Sequence, residues 1–359
     1  MNLKPINEQV VVITGASSGI GRDAALKFAA RGEEGLKSLV DEINREGGGE
    51  AIYEICDVSD FSQVQAAAER AIKRFGRIDT WVNNAAVTVN ATFEDTTLEE
   101  FRQILDVNLM GQIHGFKAAL PHLRTSGGAI ISVTSVESKV AMPLHSAYAA
   151  SKHAIAGLLD SLRRELLHEG APVSVTNIMP ASINTPLFSK SRTKLGVKPR
   201  GLPPFYQPHI VANAILYAAA HPVRDLIVGG AGKMMISSQI NSPVLTDYML
   251  ARLGFSWQRT DEPKSEAALD NLFQPVADNR VEGDFSERAK NKSFYTLLQT
   301  RPVLKTLLMV AGVSGAAMLL MHSSGKNRSH GKGIMPPPGL PQETTAVDES
   351  GSPVAAVTW

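Results

Sequence analysis

Cysteine is almost missing from this chain: Cys56 is the only one in 359 residues. That excludes an intrachain disulfide and a metal site built on several thiolates. Its setting, AIYEICDV, reads as a buried strand in which a free thiol acts as a small apolar side chain. Net charge is scarce as well, since 36 basic residues face 35 acidic ones for a formal +1. Such a balance gives no electrostatic case for nucleic acid. The start, MNLKPINEQ, has no apolar run, so no cleaved signal peptide is expected. His114, His145, His153 and His168 show no metal-like grouping; they receive no role, and no metal site is expected. A hydrophobic share of 43% is ample for one large core with an appendage.

What is present begins with a β-branched run, Gln9 to Thr14, followed at once by GASSGIG and helix-like RDAALKFAAR. Strand, glycine turn, helix is the context in which a glycine motif means nucleotide binding. Gly15 permits the tight turn. Gly19 and Gly21 let a pyrophosphate approach the backbone at the helix N-terminus, where free N–H groups favour negative charge. A purely structural turn is the alternative. Further strands are expected at Ala51 to Cys56, Ile78 to Val82, Gly128 to Thr134, Pro172 to Met179 and Leu226 to Val228. Amphipathic segments at Phe61–Phe75, Leu98–Leu123, Ala147–His168 and Pro208–Ala220 separate them. The alternation predicts an α/β fold, a Rossmann-type doubly wound parallel sheet flanked by helices.

The stretch SVESKVAMPLHSAYAASK, Ser135 to Lys152, carries the chemistry. Tyr148 and Lys152 stand four apart on an expected helix, so phenol and ammonium share a face. An ammonium beside a phenol lowers the phenol's pKa toward the range of proton transfer. Ser135 follows GAIISVT and belongs at the carboxyl end of a strand, where open α/β sheets place their sites. Packing plus a solvated charge is the alternative for a Tyr–Lys pair seen alone.

Taken together, Thr14 to Gly21 (TGASSGIG), Asp57-Val58, Asn83 to Ala86 (NNAA), Asn108, Ser135, Tyr148, Lys152 and Pro180 to Thr185 make the chain resemble the classical short-chain dehydrogenases/reductases. The resemblance spans Gln9 to Thr185, more loosely to Leu253. It implies that Tyr148 is the general acid or base, and that Lys152 tunes it and binds the nicotinamide ribose. Ser135 would hydrogen-bond the substrate oxygen, and Asn108 would hold a water relaying protons to Lys152. Along the cofactor it implies Gly15, Ser17, Ser18, Gly19, Ile20 and Gly21 at the phosphates, Asp57 on the adenine with Val58 beside it, Asn84 and Ala85, and Pro180, Ile183 and Thr185. The cofactor would be NADP or NAD. Arg22, beside the phosphate loop, tilts the choice to NADP, with an exposed first-turn arginine as the alternative.

One departure is large. After Arg31-Gly32 the family has a second strand whose end reads the 2′ position of the ribose, and here the chain passes directly to EEGLKSLVDEINREGGGEA. A strand normally bridges about 17–20 Å there, and Glu33 and Glu34 cannot, at about 3.5 Å per residue. The region 32–50 is therefore expected to be irregular and weakly packed, with a damaged adenosine pocket. Pro180-Ala181 replaces the family's Pro-Gly, adding a methyl on the nicotinamide side.

Pro186 to Tyr206 carries five basic residues, no acidic ones and four prolines. It resembles the family's substrate lid, with Leu187, Phe188 and Phe205 as an apolar rim. Its charge reads as a solvated loop or as an attractor of anions. Domain boundaries are expected at 1–253 (catalytic), 254–301 (polar extension), 302–322 (hydrophobic helix) and 323–359 (disordered tail). Thr306 to Met321 is sixteen residues without a charge; with its neighbours it approaches a bilayer span. A membrane anchor on a cytoplasmic catalytic domain is expected, with a soluble cytoplasmic protein as the alternative. The expected function is oxidation of a small apolar alcohol, or reduction of the matching ketone or aldehyde, by a possible homo-oligomer. The alternative is a non-catalytic binding or scaffold protein that has lost its cofactor site.

Overall fold

A computed structural model describes residues 2–29, 52–276, 278–304 and 306–307. Two compact units divide the chain, Met1–Lys305 and Thr306–Trp359, and the fold below is that of the first. Strand β1 (Val11–Ile13) leads through the glycine turn into helix α1 (Gly19–Ala29). Helix α2 (Phe61–Phe75) follows, N-capped by the Asp60 carboxylate on the Ser62 amide and ended by Gly76 at φ +79. Then come β2 (Thr80–Asn83), the short β3 (Val89–Asn90) and α3 (Leu98–Leu105), which opens on a Thr97/Glu100 capping box. A π-turn, Asp106–Met110, joins α3 to α4 (Gly111–Ser126). After these come β4 (Gly128–Val133), α5 (Ser146–His168) and β5 (Val173–Pro180). The lid region contributes α6 (Leu187–Lys190), β6 (Arg192–Thr193) and β7 (Val197–Pro199). The chain goes on through α7 (Pro208–Ala220), β8 (Asp225–Val228), α8 (Gly230–Asn241), α9 (Pro243–Met249) and β9 (Arg259–Pro263).

The central sheet is wholly parallel in the order β1-β2-β4-β5-β8. Its registers put Trp81, Ile130 and Val175 in one row and Val82, Ile131 and Thr176 in the next. Successive side chains of a strand point to opposite faces, so the two rows feed two cores. Val82, Ile131 and Ile178 pack with Ala24 and Phe28 of α1 and with Val211, Ala212 and Ile215 of α7. Trp81, Ile130 and Val175 pack with Val64 and Ala68 of α2, Phe116 and Leu123 of α4, and Ile155 and Leu159 of α5. The doubly wound α/β fold read from the pattern is the one observed.

Two expectations need correction. The strand expected at Ala51 to Cys56 does not form: residues 52–56 are irregular, and Ile55 is 86% exposed. Cys56 is accordingly half-buried in a loop, not enclosed in a strand. Alternation of apolar residues predicts a strand only when a neighbouring strand is there to pair with it. Among the described residues β1 pairs with β2 alone, so its outer edge has no strand beside it. The region 32–50 itself lies outside the described residues. So does most of the expected hydrophobic helix 302–322; among the described residues no helix is long and apolar enough to cross a membrane.

Candidate active site

A cavity of about 610 Å³ runs from the glycine turn to Ser135, Tyr148 and Lys152 at the carboxyl end of the sheet. At one end β1 stops and the chain turns through Gly15, which holds φ +67. A Cβ there would come within 2.7 Å of the Ala85 Cα, and one on Gly21 within 2.3 Å of the Gly15 carbonyl oxygen. Neither clash is with a movable side chain, so glycine is required at both positions. Asn84 pins the turn from the next strand: its Nδ2 donates to the carbonyls of Thr14 and Gly15, each at 3.2 Å. Helix α1 then opens on the cavity with first-turn amides that a helix cannot satisfy internally; that of Gly19 donates to the Arg280 carbonyl at 3.0 Å. Ser17, Ser18, Gly19, Ile20, Asn84, Ala85, Asp57, Val58, Pro180, Ile183 and Thr185 all line it. Gly21 stands just behind, and buried Arg22 does not project as an exposed first-turn arginine would. These features fit a dinucleotide: an anion-binding helix end and a continuous cleft.

At the other end β4 delivers Ser135 and helix α5 delivers Tyr148 and Lys152, as expected. The Ser135 hydroxyl stands beside the Tyr148 phenol and accepts from the Glu137 amide at 3.1 Å. Lys152 is fully buried; its Nζ lies 5.2 Å from the Tyr148 ring centroid and donates to the Val133 carbonyl at 3.3 Å. Burial pushes this amine down to about 8. The phenol goes the other way. Desolvation, helped by the Glu137 charge, holds Tyr148 well above its usual range, against the Ser135 hydrogen bond that lowers it. The lysine-lowered phenol expected from the spacing is therefore not what this arrangement gives. Four residues along a helix bring the amine near the ring, but burial outweighs that proximity.

Asn108 sits in the π-turn with no exposed surface. Its Oδ1 accepts from the Val87 amide at 2.9 Å, and its Nδ2 donates to the Val87 carbonyl at 3.0 Å and the Ser151 hydroxyl at 3.2 Å. The side chain is committed to holding the strand end against α5. Asp57 is exposed, and its carboxylate accepts from the amide and hydroxyl of Ser59 at 2.9 and 2.7 Å. Val58 is fixed by the start of α4, where a Cβ on Gly111 would meet it at 2.7 Å.

Several cavity residues were invisible to sequence reasoning. His145 bonds the Glu137 carboxylate through Nδ1 at 3.0 Å and the Asn90 side-chain oxygen through Nε2 at 2.8 Å. Leu144, at φ +68, turns the chain so that His145 enters this cluster. The signal was present, since Glu137 and His145 lie two residues after Ser135 and three before Tyr148. No pattern distinguishes such neighbours from loop residues.

The polar extension, read as either wrapping the core or leading away from it, packs on the core. Asn271 to Val276 line the cavity, and Leu272 is buried with Val87, Val89 and Ile104. The extension, together with Glu100 of α3, supplies the acids that the lid lacks. Arg192 pairs with Asp270 and Glu100, Lys194 with Glu100, and Lys198 with Glu262 and Asp284. Arg200 Nε donates to the Trp257 carbonyl at 2.9 Å, and Arg192 lies 5.0 Å over the Phe273 ring. Three of the lid's five basic residues are thus neutralised, and the lid is a strapped-down element and not a solvated charged loop. Among the described residues no cluster of His, Cys, Asp or Glu could hold a metal.

Residues 9–196 match the family model described as short chain dehydrogenase, more than half of the chain. The chain belongs to that family. It is 36% identical over 331 residues to the uncharacterized oxidoreductase YxnA of Bacillus subtilis, covering 88% of this chain and 92% of that protein. An alignment of that length must take in part of the extension beyond 253. It is also 31% identical over 210 residues to a trans-4-hydroxycyclohexanecarboxylate dehydrogenase of Sinomonas cyclohexanicum, covering 55% of this chain and 80% of that protein. Among solved structures it is similar to an alcohol dehydrogenase from the archaeon Thermococcus sibiricus complexed with 5-hydroxy-NADP. That likeness has a TM-score of 0.53 and 26% identity, over 61% of this chain and 95% of that one. The family and these neighbours make the protein an oxidoreductase with a nicotinamide cofactor.

Proposed function

We propose that this oxidoreductase interconverts an alcohol with a ketone or aldehyde, using NADP or NAD, with Tyr148 as general acid and base. The observation that carries the reading is a single cavity with the glycine turn at one end and Ser135, Tyr148 and Lys152 at the other. When bound, the nicotinamide supplies or accepts the hydride. The chain's own task is the proton. Ser135 holds the substrate oxygen, and the neutral phenol of Tyr148 donates to it during reduction or, once ionised, receives from it during oxidation. Lys152, with its pKa lowered to about 8, replenishes that proton. A relay through Asn108 falls to its backbone, because its side chain is spent on Val87 and Ser151. Met142, Leu202, Met235, Phe188 and Phe273 among the lining residues favour a substrate with an apolar body.

Titrating the purified protein with NADPH and NADH, followed by nicotinamide fluorescence, tests the reading. Binding of neither would remove it. The second reading, a binding protein without catalysis, draws on the outer edge of β1, which has no strand beside it among the described residues, and predicts that failed titration. A membrane anchor at 302–322 is a separate proposal resting on the uncharged run Thr306 to Met321. Full-length protein remaining in the soluble fraction without detergent would overturn it.

A further inference from the structure

Of the five basic lid residues, Lys190 is placed unlike the others. It is 8% exposed, lines the cavity at the end of α6, and reaches across to the glycine turn. Its Nζ donates to the Ser18 hydroxyl at 3.1 Å and to the Asp278 carbonyl at 2.6 Å. An ammonium has three hydrogens, so one is left over. Among the described residues no carboxylate comes within ion-pair distance of it, whereas Arg192, Lys194 and Lys198 all have such partners. The Asp278 carboxylate acts on it only from beyond that distance while paired with Arg280 at 2.9 Å. Keeping such a cation out of water is costly, and burial lowers its pKa against the pull of Asp278. The neighbouring Gly19 amide at the start of α1 donates to the Arg280 carbonyl at 3.0 Å. The lid, the extension and the phosphate loop therefore meet at one point, where the Lys190 ammonium keeps one hydrogen without an acceptor among the described residues.

We propose that Lys190 is a cofactor-phosphate residue: its free N–H and its charge are completed by a phosphate group of the nicotinamide nucleotide. This rests on the reading of the cavity as a nucleotide site and adds to the glycine turn a charged ligand from the lid. Its place beside Ser18 favours the pyrophosphate, and the 2′-phosphate shares the same chemistry.

Fluorescence titration of wild type, K190Q and K190R with NADPH and with NADH, at two salt concentrations, separates the cases. Charge-assisted hydrogen bonds are the strong ones, so K190Q should bind both nucleotides at least about tenfold more weakly (roughly 1.4 kcal/mol) and with a shallower salt dependence. K190R should stay within a few-fold of wild type. A loss confined to NADPH assigns Lys190 to the 2′-phosphate; an equal loss assigns it to the pyrophosphate. K190Q with wild-type affinity overturns the inference and leaves the oxidoreductase reading intact. Wild type that binds neither nucleotide overturns both. Melting curves accompany each variant, and K190M, which keeps the buried stem, carries the test should K190Q not fold.

Discussion

The two ends of the cleft are built differently. At the nicotinamide end, β2, β4 and β5 pair on both sides, both faces of the sheet are covered, and the polar side chains are buried and mutually bonded. At the adenosine end, β1 has no neighbour on its outer edge among the described residues, Asp57 satisfies itself locally, and Ile55 stands in water. Order in a parallel sheet comes from strands flanked by strands, because backbone groups without a ladder partner turn to solvent or to side chains. Among the described residues the sheet is tight where strands flank strands and looser at its β1 edge.

The sharpest way to break this contrast is Y148F. Turnover should fall by about 10²–10⁴, the range of general acid–base catalysis, with nucleotide titration unchanged. Retained turnover would remove Tyr148 from its role. Next in size is packing. I131A, in the row shared by β2, β4 and β5, should cost about 2–5 kcal/mol in denaturant unfolding. A smaller loss would mean that the continuous part of the sheet is no tighter than its edge.

K152M should abolish activity yet raise stability by about 0.5–2 kcal/mol, read as a higher melting temperature at neutral pH. The sign follows from the lysine's folded pKa of about 8 against the ordinary 10.5. Below pH 8 both folded and unfolded chains hold the proton, and the buried charge is a full penalty. Between pH 8 and 10.5 only the unfolded chain holds it, so wild-type stability should climb with pH there and K152M should lack the climb. Tyrosinate absorbance of the nucleotide-free protein, wild type minus Y148F, should show no ionisation below pH 10. A step near pH 8 would place the lysine's charge above burial. The smallest effect is expected at the loose end, where I55S should change stability by less than about 0.5 kcal/mol.

Much of this was legible in the residues. Gln9 to Thr14 before GASSGIG, and the 61–75 and 208–220 periodicities, gave elements that formed within a residue or two. The failures share a cause. AIYEICDV has the alternation of a strand but no partner among the described residues, and the tyrosine–lysine spacing said nothing of the burial that raises the phenol. The extension's composition announced a polar segment; that its acids match the lid's bases depends on a fold that brings residue 100 beside 192 and 270.

By itself the sequence determined what is local and periodic: the parallel α/β order, the glycine turn, and a serine, tyrosine and lysine delivered to one edge of the sheet. Spacing within one strand or helix is enough for that. Only the tertiary structure decided what surrounds those groups: which charges are neutralised, that Glu137 and His145 join the site, and that a segment far along the chain walls the cavity. Desolvation and ion pairing depend on neighbours remote in sequence, and no local pattern encodes them.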